Sequence, residues 1–141
     1  PRLMCEMKSG SAWYVSGGRS TTGKLYADAG AEYVFSSYTN AGGVPLSFET
    51  VFDKAQDADV WLMKYNHPTD KTYQSLQEDY APYANFKAFK DKNIYHCNTA
   101  YRPYYEDFPF HPDRVLKDLI KIFHPSLLPE YELKYFSKLA E

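Results

Sequence analysis

The sequence lacks the features of a nucleic-acid-binding or membrane-spanning chain. Lys and Arg number 16 and Asp and Glu 18, which gives a formal net charge of −2. No block of basic residues occurs, and because a nucleic-acid partner would favour a clustered basic surface, we expect no nucleic acid. No apolar run approaches the roughly 18 residues that a membrane helix needs. The 141 residues suit a single domain, 1–141, long enough to bury a core without disulfides or metal.

The sequence also lacks the cysteine and histidine spacings of disulfide frameworks and metal sites. Cys5 and Cys97 are too few and too far apart in sequence for a disulfide framework or a zinc cluster, and each lies in an apolar, strand-like segment. The four histidines show no metal-ligand spacing, and only His67, in a loop, stays a candidate ligand contact. Neither a G-x-S-x-G elbow nor a catalytic cysteine signature occurs. We therefore expect no catalytic residue, no metal site and no cofactor.

Residues 46–66 contain one helix, one turn and one buried strand. Ser47 suits an N-cap, and the apolar residues of 48–55 recur at the i, i+3, i+4, i+7 spacing of one helix face. Val60–Met63 is a non-alternating apolar run, which is typical of a strand covered on both sides. Strand and helix alternate in this way four times. The pattern predicts an α/β fold: a Rossmann-like, three-layer lobe with a mostly parallel sheet of four to five strands.

The other elements follow from the same patterns. Strands are predicted at 3–8, 33–35 and 94–97, and helices from Ser20 or Thr21 to Ala29, from Thr69 or Asp70 to Tyr80, from Pro112 to the residue before Pro125, and around 133–139. Gly30 suits the position just after the first of these helices.

Aromatic residues are abundant, at 18% of the chain with 14 Tyr. In a parallel α/β sheet, ligands meet the loops beyond the carboxyl ends of the strands. Four such loops hold the candidate ligand-binding residues, Trp13, Tyr14, Tyr38, Tyr65, Tyr101, Arg102, Tyr104 and Tyr105. Packing is the default role of any one tyrosine, but four loops together favour a binding surface for a bulky, partly apolar ligand. Arg102 could pair with an anionic ligand group, or with Glu106 or Asp107.

Gly18–Lys24 matches G-x-x-x-x-G-K, the start of a phosphate-binding loop. Leu25 follows, where the loop needs Ser or Thr to reach magnesium, and Val60–Met63 has no acidic residue at its end. A glycine turn followed by a Ser- or Thr-capped helix is therefore the favoured interpretation. A small nucleotide-binding domain or enzyme that uses this loop remains the alternative function.

Several short motifs follow one another along nearly the whole chain. They are Trp13-Tyr14-x-x-Gly17-Gly18-x-Ser20, Asp28-Ala29-Gly30-x-x-Tyr33, Pro45-Leu46-Ser47-Phe48-Glu49, Asp57-Ala58-Asp59-Val60-Trp61, Phe86-Lys87-Ala88-Phe89-Lys90 and, near the end, His111-Pro112-Asp113-Arg114-Val115 with His124-Pro125. Their order and spacing resemble the periplasmic binding proteins that serve iron-siderophore, haem and cobalamin ABC importers. Proteins of that family hold their ligand between two α/β lobes joined by a long helix. The resemblance implies that this chain is the C-terminal lobe, with the N-terminal lobe of the same chain, the linking helix and an export or lipoprotein signal before Pro1.

The resemblance also implies a function without catalysis. The lobe would bind an iron chelate, our first choice, or haem or a corrinoid, and deliver it to the membrane permease from the periplasm or the outer face of the cytoplasmic membrane. Family members dock on the permease through one exposed Glu per lobe, and here the matching position is Glu49, with Glu32 as second choice. A carboxylate in a first helical turn is also favoured by the helix dipole alone. A structural domain that reuses this lobe as a protein-interaction surface is a further alternative.

Overall fold

The computed structural model describes residues 1–39 and 43–141. The strands are β1 (Arg2–Cys5), β2 (Lys8–Ser9), β3 (Ala12–Ser16), β4 (Glu32–Tyr33), β5 (Gly43–Leu46), β6 (Val60–Tyr65), β7 (Ile94–Asn98) and β8 (Ser137–Lys138). The α-helices are α1 (Thr21–Asp28), α2 (Phe48–Ala55), α3 (Tyr73–Asp79), α4 (Lys87–Lys90), α5 (Tyr104–Asp107) and α6 (Pro112–Phe123), with 3-10 turns at Ala81–Asn85 and Pro125–Leu127.

The main sheet has five strands in the order β4-β1-β6-β7-β8. Neighbouring strands are parallel from β4 to β7, and only β8 runs antiparallel, beside β7. Helices flank this sheet, and the residues from Val60 to Met63 on β6 are all buried, as their unbroken apolar run predicts. The predicted α/β class and the mostly parallel sheet are confirmed.

Local signals set most helix boundaries. The side chains of Ser20 and Ser47 accept hydrogen bonds from the backbone N–H of Gly23 and Thr50, so both are N-caps as predicted. The prediction for α3 is wrong by two to three residues, because Thr72 and Ser75 form a reciprocal capping box there. The longest helix, α6, has 12 residues, and none of the helices in the described part of the chain is long and apolar enough to cross a membrane.

A second sheet is absent from the sequence-based prediction. Its three strands, β2, β3 and β5, are antiparallel, with β3 in the middle. β2 has only two residues, and Pro45 interrupts the apolar pattern of β5, so neither strand has a local signature. The pairing of β3 with β5 instead joins segments about 30 residues apart, which periodicity does not reveal.

The helix expected around residues 133–139 is also wrong. This segment is extended, and Ser137–Lys138 pairs with β7 as β8. The buried carboxylate of Asp118, on α6, accepts hydrogen bonds from the backbone N–H groups of Lys134, Tyr135 and Phe136. These donors are consequently used by a distant side chain and not by a helical turn.

Candidate functional site

The carboxyl ends of β1, β4, β6 and β7 meet at one side of the sheet, here called the carboxyl edge. Residues of β6 and β7 and of the segments that follow them are brought together there and line several cavities, two of which contain different candidate residues. The larger, with a volume of about 470 Å³, has Tyr101 and Arg102 in its wall, and the smaller, of about 150 Å³, has Tyr104 and Tyr105. The structure therefore brings four of the eight candidate residues to the rims of two neighbouring cavities.

The larger cavity lies between residues 68–70, the end of β7 and the segment before β8. Tyr101 is 65% exposed, and its hydroxyl donates a hydrogen bond to the backbone carbonyl of Pro68. The guanidinium of Arg102 donates to the carbonyl of Lys134 at 2.9 Å. Arg102 is exposed and lines this cavity, and in the part of the chain that the structure describes it forms no ion pair with Glu106 or Asp107.

Tyr65 supports this cavity from behind and does not line it. Its hydroxyl oxygen accepts the N–H of Lys71 at 2.8 Å and lies 2.6 Å from Nδ1 of His96, whose Nε2 lies 3.2 Å from Oγ of Ser137. A neutral imidazole donates from one nitrogen and accepts at the other, so two arrangements fit these distances: Tyr65 donates to Nδ1 and Nε2–H donates to Ser137, or Nδ1–H donates to Tyr65 and Ser137 donates to Nε2. Burial lowers the pKa of His96, so the ring is neutral at pH 7.

Serine and histidine lie within hydrogen-bond distance at the wall of the larger cavity, with Ser137 Oγ 3.2 Å from Nε2 of His96. In a Ser-His-Asp triad, a carboxylate bonds to the other ring nitrogen and orients the histidine. Here the partner of Nδ1 is the phenol of Tyr65. The pair therefore differs from the triad arrangement.

The smaller cavity contains a buried cation that the sequence patterns did not reveal. Lys64, the fifth residue of β6, has a side chain only 7% exposed and lines this cavity with Thr22, Tyr104 and Tyr105. Its Nζ lies 3.8 Å from Oε2 of Glu6 and 5.0 Å from the centre of the Tyr104 ring. The sequence feature that could have indicated this site is a lysine that directly follows the apolar run of β6, near the carboxyl edge.

Charge at this position is maintained by neighbouring groups. Burial lowers the pKa of the Lys64 ammonium, and the carboxylate of Glu6 raises it. Burial also raises the pKa of Tyr26, so its phenol is neutral at pH 7 and adds no charge. The ion pair with Glu6 therefore keeps Lys64 a cation at neutral pH. Burial likewise raises the pKa of Tyr104, whose phenol stays neutral beside it.

The other aromatic candidates lie elsewhere. Trp13 is fully buried, stacks on Trp61 with ring centres 5.8 Å apart, and donates from Nε1 to the carbonyl of Cys5 at 2.9 Å. The ligand contact predicted for Trp13 is therefore corrected to core packing, because β3 folds back and buries the ring. Tyr14, on the opposite face of β3, is 54% exposed. Tyr38 is half-buried, with the Lys54 ammonium 5.4 Å from its ring centre.

The Gly18–Lys24 loop is closed by its own hydrogen bonds. The N–H groups of Gly18, Ser20 and Gly23 donate to Tyr38 O, Gly17 O and Ser20 Oγ, respectively. A Cβ at Gly18 would come within 2.1 Å of the carbonyl oxygen of Ser36, so glycine is needed for close packing. Since these donors are not free for a phosphate, the capped-helix interpretation is favoured over a nucleotide site.

The remaining polar candidates are on the surface. Glu49 is exposed in the first turn of α2, and because α2 precedes β6 and runs back along the sheet, this turn lies toward the carboxyl edge. Glu32 begins β4 at the opposite edge and forms an ion pair with Arg2 at 3.6 Å. His67 is exposed, and its Nδ1 bonds locally to Thr69. Within residues 1–39 and 43–141, no cluster of three His, Cys, Asp or Glu side chains could hold a metal ion.

Comparison with known sequences identifies two distant relatives. No protein-family model matches the chain. Two uncharacterised lipoproteins of Methanocaldococcus jannaschii are each 29% identical to it. One match covers 76% of this chain and 24% of the relative. The other match covers 89% of this chain and 31% of the relative. The chain thus spans about a quarter to a third of the length of these curated relatives.

Solved structures match the chain more completely. The TroA-like periplasmic binding protein FepB of Veillonella parvula covers 99% of this chain with 48% of its own length, at a TM-score of 0.72 and 14% identity. The chain has the fold of one TroA-like lobe. A possible iron-binding, periplasmic solute-binding protein of Staphylococcus epidermidis covers 87% with 45% of its length, at a TM-score of 0.65 and 17% identity. Helicobacter pylori CeuE, in a complex with nickel and histidine, covers 92% of this chain with 38% of its own length, at a TM-score of 0.63 and 14% identity.

Proposed function

We propose that this chain is the C-terminal lobe of the substrate-binding component of an ABC importer. Its ligand is an iron chelate, with haem or a corrinoid as the other members of the class, and it is held between the carboxyl edge and an N-terminal lobe of the same chain. The observation that carries this proposal is the placement of Tyr101, Arg102 and Tyr105 around cavities at that edge, in a chain with the fold of one TroA-like lobe.

The chemistry of the edge suits capture of a bulky, partly apolar complex. Tyr101 and Tyr105 are 65% and 60% exposed, and each offers a stiff ring with a hydrogen-bonding tip. The larger cavity, about 470 Å³, is within the roughly 300–1,000 Å³ range of small-molecule sites. Arg102 adds a cation that can pair with an anionic group of the complex. Closure by a second lobe would cover the exposed rings.

The proposal also includes delivery of the bound ligand to a membrane permease. The curated relatives are named lipoproteins and the structural neighbours are named periplasmic or ABC transporter proteins, which supports an exported protein at the outer face of the cytoplasmic membrane or in the periplasm. Glu49 is exposed and near the same end of the molecule as the ligand edge, which suits docking onto arginine residues of a permease. The lobe itself supplies no catalytic step.

Titration of the full-length protein tests the proposal. Isothermal calorimetry would compare ferric siderophores, haem, cobalamin and ATP with magnesium under the same conditions. We expect saturable binding of at least one metal complex and no response to ATP. Binding of ATP without binding of any metal complex would contradict the proposal and favour the nucleotide-binding alternative.

A further inference from the structure

Lys64 has a side chain that is only 7% exposed, and its ammonium forms no hydrogen bond among the described residues. Nζ forms a 3.8 Å ion pair with Glu6 and lies over the Tyr104 ring. It is not among the fully buried polar atoms, so its remaining accessible surface can reach a ligand group. An ammonium has three N–H donors, and a buried charge is costly unless it is both paired and hydrogen-bonded. The position is therefore incomplete for a purely structural lysine.

The cavity lies where the missing acceptor would be. Its lining residues are Thr22, Lys64, Tyr104, Tyr105, Phe108 and Pro109, and Tyr105 is 60% exposed. Its volume of about 150 Å³ is below the roughly 300–1,000 Å³ typical of a site for a whole ligand. The cavity thus accommodates one group of a larger molecule.

Glu6 contacts Lys64 through both carboxylate oxygens and is not among the residues that line the cavity. Glu6 has a φ of 69°, a left-handed conformation that is uncommon for a residue other than glycine. Its Oε1 accepts the N–H of Lys64 at 3.2 Å, its N–H donates to Leu62 O at 2.8 Å, and its carbonyl accepts Trp61 Nε1 at 2.8 Å. Strained backbone that is over-determined by its surroundings is found preferentially at ligand sites.

We propose that Lys64, positioned by Glu6, selects ligands that present a negatively charged oxygen group, a carboxylate or phenolate, to the smaller cavity. This inference rests on the proposed function and specifies its substrate class as anionic ferric chelates in preference to neutral ones. The charged oxygen completes the hydrogen bonding of the ammonium, between Tyr104 and Tyr105. Arg102, at the neighbouring cavity, adds a second positive charge at the same edge.

The test uses the full-length protein and two chelates of different charge. Ferric tricatecholate is trianionic, and a ferric trihydroxamate complex of similar size is neutral. In the Lys64→Met variant we expect the Kd for the tricatecholate to rise about 10- to 100-fold, the range of a hydrogen bond to a charged group. The Kd for the neutral complex should change by less than about twofold. Lys64→Arg should retain the preference, and Lys117→Met, which changes an exposed lysine on α6, is the matched control.

Glu6→Gln should change the affinity for the anionic chelate in the opposite direction to Lys64→Met. The amide oxygen can still accept the N–H of Lys64, while the negative charge beside Nζ is removed. The anionic chelate should therefore bind several-fold more tightly, with the neutral one unchanged. A purely structural pair predicts instead that both substitutions weaken both chelates equally.

The outcomes separate this inference from the proposed function. If the wild-type protein binds neither chelate, nor haem or cobalamin, the proposed function is overturned. If it binds them but Lys64→Met leaves the ratio of the two Kd values unchanged, only the assignment of Lys64 is overturned. Thermal unfolding of each variant shows that it is folded. Should Lys64→Met not fold, Glu6→Gln and Lys64→Arg decide the assignment by the same ratio of Kd values.

Discussion

Two charged side chains in this lobe are buried, but they differ in their hydrogen bonds. The carboxylate of Asp118 is fully buried and accepts hydrogen bonds from Tyr131 and from the N–H groups of Lys134, Tyr135 and Phe136. The side chain of Lys64 is almost as buried, at 7% exposed, but its ammonium has a loose ion pair and no hydrogen bond among the described residues. Asp118 lies inside the packing of α6 against the C-terminal segment, whereas Lys64 faces a cavity at the carboxyl edge.

The difference separates a structural charge from a binding charge. A buried charge is tolerated when its hydrogen bonds are complete, and removing it then leaves its partners unsatisfied. A buried charge whose hydrogen bonds are incomplete and that borders a cavity is available to a ligand. Substitutions at the two positions should consequently affect different measurements, stability at Asp118 and binding at Lys64.

The largest expected effect on stability is at Asp118. Asp118→Ala leaves three backbone N–H groups and a tyrosine hydroxyl without their acceptor, so the free energy of unfolding should fall by about 3–5 kcal/mol. Urea denaturation of the full-length protein measures this change. Asp113→Ala, in the exposed first turn of the same helix, should cost less than about 1 kcal/mol. Equal losses in the two variants would contradict the structural role of Asp118.

The stability of the protein at alkaline pH tests the burial of the two cysteine thiols. Burial raises the pKa of both Cys5 and Cys97 from 9.0 to about 12. Between these values the unfolded thiols lose protons that the folded thiols keep, so stability is complete below pH 9 and falls as the pH rises toward 12. Urea denaturation at pH 8 and pH 10 should show the loss, and the Cys5→Ala/Cys97→Ala variant should show less of it. An identical pH dependence in this variant would count against burial of the thiols.

Lys64→Met should change stability little. Loss of a buried ammonium removes a desolvation cost but leaves the carboxylate of Glu6, which is 26% exposed, without its partner. We expect the two effects to offset within about 1 kcal/mol, in contrast to Asp118→Ala. A loss as large as that of Asp118→Ala, measured by the same denaturation, would make Lys64 a structural charge and remove the contrast.

The smallest expected effect on the folded lobe is at Glu49. Glu49→Arg reverses an exposed charge, so stability should change by about 0.5 kcal/mol or less, and ligand affinity should not change. Uptake of the ligand by cells should nevertheless be strongly reduced, because the arginine would repel arginine residues of the permease. Asp53→Arg on the same helix is the control, and unaffected uptake by Glu49→Arg would remove the docking assignment.

Sequence reasoning succeeded where structure is set locally. Ser20 and Ser47 cap helices through partners three residues away, and the apolar run of β6 is buried on both faces. Sequence reasoning failed where contacts between residues distant in sequence determine the structure. The N–H groups that would form a last helix bind Asp118 on α6, and the antiparallel pairing of β3 with the distant β5 accompanies burial of Trp13 in the core.

The candidate site was anticipated only in outline. The carboxyl edge followed from the order of strands and helices, and Tyr101, Arg102, Tyr104 and Tyr105 do line cavities there. Lys64 was missed because a lysine at the end of a strand usually reaches solvent. Its burial depends on Glu6 and Tyr104, which lie far from it in sequence and come close only in the folded sheet.

Binding to the carboxyl edge is the central claim, and one calorimetric comparison tests it most directly. The full-length protein would be titrated with the ferric chelate that it binds best, as wild type, as Tyr101→Ala/Tyr105→Ala and as Leu127→Ala. Leu127 is also a large exposed side chain, 67% accessible, but it follows α6 at the other end of the lobe. We predict at least a tenfold loss of affinity for the double tyrosine variant, at roughly 1 kcal/mol per ring, and no change for Leu127→Ala. Unchanged affinity in the tyrosine variant would contradict the assignment of the edge as the ligand site.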